Sequence, residues 1–207
     1  MNRRIINEQF NISNMDFNNK AKRKANIFAK EIFDVNEIYK KILNIEKVYD
    51  AEISYLDSKL CAVVPDSKDL YTVVNFYSEY YPNASLNWLD VKNITYMYRL
   101  FANSDFTGDI SMWDVSNVYN MSYMFMESKF NNDISKWDVS SVLYMDQMFK
   151  LSNFNGDISG WDVSKVESMN GIFEHSAFNG DISMWDVSNV SDMAYMFACS
   201  PFNGDIS

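Results

Sequence analysis

The sequence predicts an α/β repeat fold: a solenoid of 24-residue units, each a short strand followed by a helical turn, behind a mainly helical N-terminal cap. Three observations predict it. Phe106, Phe130, Phe154, Phe178 and Phe202 follow one another at steps of 24, as do Trp113, Trp137, Trp161 and Trp185, and Met121, Met145, Met169 and Met193. Inside each unit an extended-type run, residues 110–113 in the first, precedes apolar residues at helical offsets. A single strand and helical turn cannot bury both apolar faces, whereas units stacked on like neighbours can.

The chain divides into residues 1–50, 51–85 and 86–207. In the first segment Phe28, Ile32, Val35, Tyr39 and Ile42 are spaced 4, 3, 4 and 3 apart, with Lys and Glu between them, which predicts an amphipathic helix within residues 20–48. That helix either docks on its own chain or pairs with a second copy or a foreign partner, since the same spacing makes a short coiled-coil seam. The second segment is a cap: a hairpin of AEISYL and KLCAVV around Asp57 and Ser58, then a helix. Asp66 or Ser67 opens it, Leu70, Val73, Val74 and Tyr77 form its apolar face, and Pro82 ends it.

The repeat segment begins with a diverged unit in which Leu86, Leu89, Asp90, Val91, Ile94, Met97, Leu100 and Phe101 fall on the repeat columns. Four full units occupy residues 106–201, each close to FNGDISxWDVSxVxxMxxMFxxSx, and another starts at Phe202. Asp109 and Asp114 bracket the expected strand as turn formers. Val118, Met121, Met124 and Phe125 then stand at offsets 0, 3, 6 and 7, one face of a helix. Ser116 is placed to cap it, and Ser164 with Glu167 reads as a capping box. Gly108, Asn132, Gly156 and Gly180 share a column that suits a bend with positive φ. The chain stops inside a unit, which predicts an unpaired C-terminal edge: a piece of a longer or shortened array, or an edge covered by a partner or a copy of itself.

Composition narrows the function. Hydrophobic residues make up 47% and aromatics 16%, enough for a sizeable core. The net charge of −10 is uneven: residues 1–48 carry ten Lys/Arg against six Asp/Glu, a balance of +4, leaving −14 on the rest. An acidic repeat array is a poor match for phosphate, so no nucleic-acid partner is expected. No apolar run approaches the roughly 18–20 residues of a membrane span, so no membrane insertion is expected. The N-terminus MNRRIINEQFNISNMDFNNK has no apolar stretch and no small-residue cleavage site, which predicts a cytoplasmic chain as given. Cys61, inside LCAVV, reads as core, and Cys199 is distant in sequence, so no disulfide scaffold is expected.

Catalytic chemistry finds no support. The single His175 occupies a variable column with Glu127, Leu151 and Cys199, and no Gly-rich phosphate loop occurs. Carboxylates recur in every unit, which argues for architecture. Asp109, Asp133, Asp157, Asp181 and Asp205, and Asp114, Asp138, Asp162 and Asp186, would form two ladders. Turn and cap chemistry accounts for them, and no metal or other cofactor is expected. The Trp column reads as core, while the column Met112, Lys136, Gly160 and Met184 varies as a solvent-facing position does. Partner choice is expected in the variable positions of the helical turn. Tyr96, Tyr98, Arg99, Tyr119, Tyr123, Met126, Tyr144, Gln147 and Tyr195 are the candidate binding residues, being mostly of the types enriched at interface hot spots. Leu143, Lys150, Glu167, His175 and Ala198 accompany them.

The string FNGDISxWDVSxVxxMxxMFxxS, over about residues 83–207 with PNASLNWLDVKNITYM leading into it, resembles the BspA-like leucine-rich repeat family in its mycoplasma-type surface-protein branch. Twenty-four residues is also a leucine-rich-repeat length. The resemblance implies a surface or secreted binding protein, often an adhesin, and the repeat also occurs in proteins of viruses and mobile elements. The expected function is therefore a non-enzymatic protein-binding module of the recognition or adhesion type. The alternatives are a structural or assembly component, including a virus-encoded one, and an intracellular inhibitor of a host protein. Self-association is expected, if at all, through residues 20–48 or the open C-terminal edge.

Overall fold

The structure, a computed structural model, describes residues 53–56, 59–64 and 66–204. The amphipathic helix expected within residues 20–48, the side chain of Cys61 and the aspartate at 205 lie outside the described residues. The chain forms two compact units, Met1–Ala62 and Val63–Ser207. The hairpin pairs β1 (Ile53–Leu56) with β2 (Lys59–Val63) in antiparallel register, Leu56 opposite Lys59.

The second unit opens with α1 (Ser67–Tyr80). Asp66 is its N-cap, accepting the Asp69 N–H at 2.9 Å in extended backbone, which satisfies one of the free amides of the first turn. Leu70, Val73, Val74 and Tyr77 are buried along one face. After Tyr81 leaves helical geometry, Pro82 follows and the helix stops. The helix lies on the first repeat: the Ser67 hydroxyl donates to the Tyr96 carbonyl at 2.8 Å. A two-residue strand, β3 (Leu89–Asp90), accepts the Val64 N–H on Asp90 O at 3.0 Å.

Each unit is a chain of tight turns, and here the observed elements differ from the expected strand and helical turn. Residues 110–113 are a turn closed by the Trp113 N–H on Ile110 O at 3.1 Å, repeated at Trp137, Trp161 and Trp185. The turn lets Ile110 and Trp113 both point inward, which strict strand alternation forbids. A second turn joins Val118 N to Val115 O. Residues 119–127 then form a flat ribbon in which Met124 N, Met126 N and Ser128 N bond three residues back, to Met121, Tyr123 and Phe125. Backbone φ is positive at Tyr123 and Glu127, so no four-residue helical bond can propagate. Packed helices stand about 8–10 Å apart. The units are closer than that: Phe101, Phe125, Phe149, Phe173 and Phe197 stack at centroid spacings of 5.4, 5.6, 5.8 and 5.8 Å. Only a ribbon one backbone thick fits that spacing.

The ribbon bonds each unit to the next. The N–H groups of Met121, Tyr123, Phe125 and Glu127 donate to the carbonyls of Tyr144, Asp146, Met148 and Lys150, and the same four bonds recur at every interface. Isolated parallel bridges link Tyr96, Asn120, Tyr144, Ser168 and Asp192 in one column. A second Phe column, Phe106 to Phe202, interleaves with the first, with Phe125 and Phe130 at 4.5 Å. The indole N–H of Trp137 donates to Ile110 O at 3.2 Å, and Trp113, Trp161 and Trp185 make the equivalent bond. The Trp column is thus buried and its one polar atom satisfied, as a core tryptophan requires. The column of Met112 and Met184 faces solvent at 72% and 83% exposure.

The two ends are unlike. At the α1 end Leu86, Ile94, Met97 and Leu100 are buried. At the other end Met193 is 41% and Val187 36% exposed, against 0% for Met169 and 1% for Val163 one unit earlier. Pro201 also stands where Lys129, Asn153 and Ala177 donate a backbone N–H to the preceding unit.

The expected positive-φ bend at Gly108, Asn132, Gly156 and Gly180 is not found; among the described glycines only Gly171 has that geometry. The column is short of space instead. A Cβ at Gly156 or Gly180 would lie 2.9 or 2.8 Å from the Phe ring two residues earlier, and at Gly108 1.9 Å from Ala84 O. Asn132 occupies the column by turning its amide to the carbonyls of Thr107 and Gly108. The expected helix caps are likewise replaced. Ser116 and Ser164 donate their backbone N–H to Asp114 and Asp162, and Glu167 N bonds Leu143 O.

Candidate interaction face

The ribbon sets the face from which side chains reach solvent. Two columns in it have left-handed backbone: Arg99, Tyr123, Gln147, Gly171 and Tyr195, and Asn103, Glu127, Leu151, His175 and Cys199. None of these is β-branched, the class of side chain for which positive φ is a true outlier. Four of the nine candidate residues therefore share one column, projected by a backbone turn rather than by a helix.

The first two units gather the aromatic candidates. Tyr96 and Tyr98 stack with centroids 5.8 Å apart, Tyr96 meets Tyr119 at 6.0 Å, and Tyr98 meets Tyr123 edge-on at 5.2 Å. The Arg99 guanidinium lies over the Tyr123 ring, 5.6 Å from its centroid, a cation–π contact. Tyr144 prolongs the group by one unit, its hydroxyl donating to Glu167 at 3.1 Å. That bond, and the carboxylate charge behind it, raise the Tyr144 pKa. Met126, three residues after Tyr123, is half-buried, and Gln147 occupies the left-handed column one unit after Tyr123. Tyr195 is 69% exposed, and among the described residues no ring contact ties it to the cluster.

One member came from outside the expected set. Tyr71 sits one helical turn after Ser67 on α1, on the side facing the first ribbon. Burial pushes its hydroxyl up to about 12, helped by the neighbouring Tyr96 and Tyr98 and opposed by Arg99. The Tyr96 pKa is raised too, by burial first and then by Tyr98 and Tyr119. The helical spacing of Ser67 and Tyr71 was the available signal, hidden because α1 reads as a cap with a single apolar face.

A family model described as Mycoplasma protein of unknown function, DUF285, matches residues 68–175 and 150–207. The chain belongs to that family. No curated protein and no solved structure matches it. The DUF285 match takes in the whole tyrosine cluster, Tyr71 included, together with every repeat unit.

The aspartates of this DUF285 chain act locally. Asp109, Asp133, Asp157 and Asp181 each accept the N–H of the serine two residues on, and so do Asp114, Asp138, Asp162 and Asp186. These are Asx turns. Hydrogen bonds from the paired serines hold the carboxyls of Asp133, Asp138, Asp157, Asp162 and Asp186 below their usual range. Among the described residues no group of three or more His, Cys, Asp or Glu side chains is placed to hold a metal ion. No described helix is long and apolar enough to cross a membrane.

Proposed function

We propose that this DUF285 chain is a leucine-rich-repeat-like solenoid of the BspA-like kind and works as a non-enzymatic protein-binding module, with the tyrosine cluster around Arg99 at the centre of the contact. The solenoid reading is supported by the identical ladder of backbone bonds and the Phe and Trp columns that join each unit to the next. One observation carries the functional reading: Tyr96, Tyr98, Tyr119 and Tyr123 form a chain of ring contacts beside Arg99 on a surface where each also reaches solvent. Tyrosine offers large area, a polar tip and few rotatable bonds, so ordering it on binding costs little. Arg and Tyr together are what hot spots are made of.

The test replaces Tyr96, Tyr119 and Tyr123 by Ser in one variant and compares it with the parent as bait on a matrix. The partner recovered by the parent should bind the variant at least about 100-fold more weakly, as expected when two or more hot-spot residues are lost. Equal binding by a variant that melts as the parent does would place the contact elsewhere. A structural or assembly role is the second reading, favoured by the uncovered apolar columns at Val187 and Met193. Sedimentation over a wide concentration range separates the two, because assembly through that end makes the mass grow with concentration.

A further inference from the structure

A second surface lies past the ribbon, on residues 129–133, 153–157 and 177–181. Exposed positions there alternate with buried or half-buried ones. Lys129, Asn131 and Asp133 are exposed about a buried Phe130, Asn153, Asn155 and Asp157 about Phe154, and Ala177, Asn179 and Asp181 about Phe178. The three Phe rings stack almost parallel at 6.4 and 6.5 Å. A backbone ladder needs about 4.7–4.9 Å, so neighbouring units stand too far apart here for one. Asparagine side chains close the gap. Asn155 N–H donates to Asn131 Oδ1 and Asn179 N–H to Asn155 Oδ1, both at 2.8 Å, and Asn203 N–H to Asn179 Oδ1 at 3.0 Å. Each bond fixes a carboxamide by its oxygen. The Nδ2 groups of Asn131, Asn155 and Asn179 keep their N–H donors and have no acceptor among the described residues.

We propose that this face binds an extended, basic polypeptide segment laid along the array, one dipeptide to each unit. In an extended chain every second residue turns its N–H and its C=O to the same edge, at a repeat of about 6.4–6.8 Å. The Phe rings show the same step between units. Each unit also offers the matching pair of groups. Asn Nδ2 can donate to the peptide carbonyl, and the carboxylate two residues on, Asp133, Asp157 or Asp181, can accept the peptide N–H. A carboxylate has room for about four hydrogen bonds, and the N–H of the serine two residues on takes one of them. An α-helix repeats at about 5.4 Å per turn, so it falls behind the units by about 1 Å at each step. A polyproline helix brings the same side round only every third residue, about 9.3 Å. The Asp column repels nucleic-acid phosphates and attracts Lys and Arg. Serine donors hold the Asp133 and Asp157 carboxyls low, and so ionised. Lys129, the cation on this face, is paired with Asp105 at 2.9 Å. The inference does not depend on the tyrosine cluster.

The experiment titrates the whole chain with a fluorescein-labelled dodecapeptide of alternating Lys and Thr, a soluble sequence half made of a strand-favouring residue. Saturable binding by anisotropy should come with shifts of the side-chain NH2 resonances of Asn131, Asn155 and Asn179. Changing these three residues to Asp together keeps the oxygen that holds the next unit, removes the donors and adds negative charge. Charge alone would tighten the basic peptide. The donor ladder instead requires binding at least tenfold weaker, in a variant that melts as the parent does. A dodecapeptide of alternating Glu and Thr should also bind at least tenfold more weakly than the Lys form. The asparagine resonances are read on the parent chain, so they decide the matter even where the variant does not fold. Absence of saturable binding, binding that leaves the three resonances unmoved, or a folded Asp variant that binds as tightly as the parent overturns the proposal. So does equal binding of the Lys and Glu peptides.

Discussion

An L-residue with a side chain loses about 1–2 kcal/mol in left-handed backbone, and the ribbon places one at two positions in nearly every unit. Gly171 is the single glycine among the ten, so the column accepts a residue with no side chain. Gln147→Gly should therefore leave thermal stability unchanged or raise it, while Gln147→Val should lower it by about 1–3 kcal/mol in denaturant titration. Equal effects of the two would mean that the column is indifferent to φ. Tyr71 gives a second residue-level outcome. Its pKa is raised in the folded state to about 12, so its share of stability is complete below the ordinary tyrosine value and is lost as pH rises from there through the folded value. Alkaline titration of tyrosine absorbance should show a late-ionising component that Tyr71→Phe removes. The sequence made Tyr96, Tyr98, Arg99 and Tyr123 visible as departures from a repeat. Tyr71 has no repeat to depart from, and its helical spacing from Ser67 was masked by the apolar face of the cap helix.

At the level of the element, the turn is the building block. The Asp-x-Ser pairs close two turns per unit, and the carboxyls of Asp133, Asp138, Asp157, Asp162 and Asp186 are held low by serine donors. A depressed folded pKa gives stability that is complete above the ordinary carboxylate value near ~4 and lost as pH falls through the lowered value. Melting temperature should therefore fall on the acid side. Changing Ser135, Ser140, Ser159 and Ser164 to Ala together should flatten that fall, because the side-chain donors that depress the carboxyls are gone. An acid limb that keeps its slope would remove the turns from the account of acid stability. The repeat period and the buried columns were legible, because recurrence of Phe, Trp and Met needs no geometry to be seen. The conformation of the unit was not. Apolar offsets of 0, 3, 6 and 7 fit a helix and also fit a ribbon of three-residue turns. What separates them is the distance between units, which a single unit's sequence does not contain. The same limit explains Gly156 and Gly180: a small residue at a bend suggests positive φ, whereas the real constraint is the ring two residues back.

For the repeat-bearing unit as a whole, stability should run from one end to the other. Interfaces with both neighbours present bury Val163, Val166, Met169 and Phe173 almost completely, and α1 covers the first unit. Among the described residues the last ribbon has one neighbour. Where stability is a sum of unit and nearest-neighbour contributions, units with one neighbour open first. Amide exchange should be fastest over residues 187–204 and slowest in the units centred on Phe125 and Phe149. Leu70→Ala, which leaves a cavity under the covered end, should cost about 2–5 kcal/mol. Val187→Ala, at the open end, should cost well under half as much in the same urea titration. Equal costs would mean that the unit melts as one block without a weak end.

The equivalence of the interfaces also bears on how such a gene can change. Each unit meets its neighbours through the same backbone bonds and the same Phe and Trp columns. Recombination that adds or removes a whole number of units returns a chain in which every junction is one already in use. A shift by any other length misplaces every column after it. Copy number and surface residues are thus free to drift on separate clocks, one by unequal crossing-over and the other by point mutation, while the interior stays as it is.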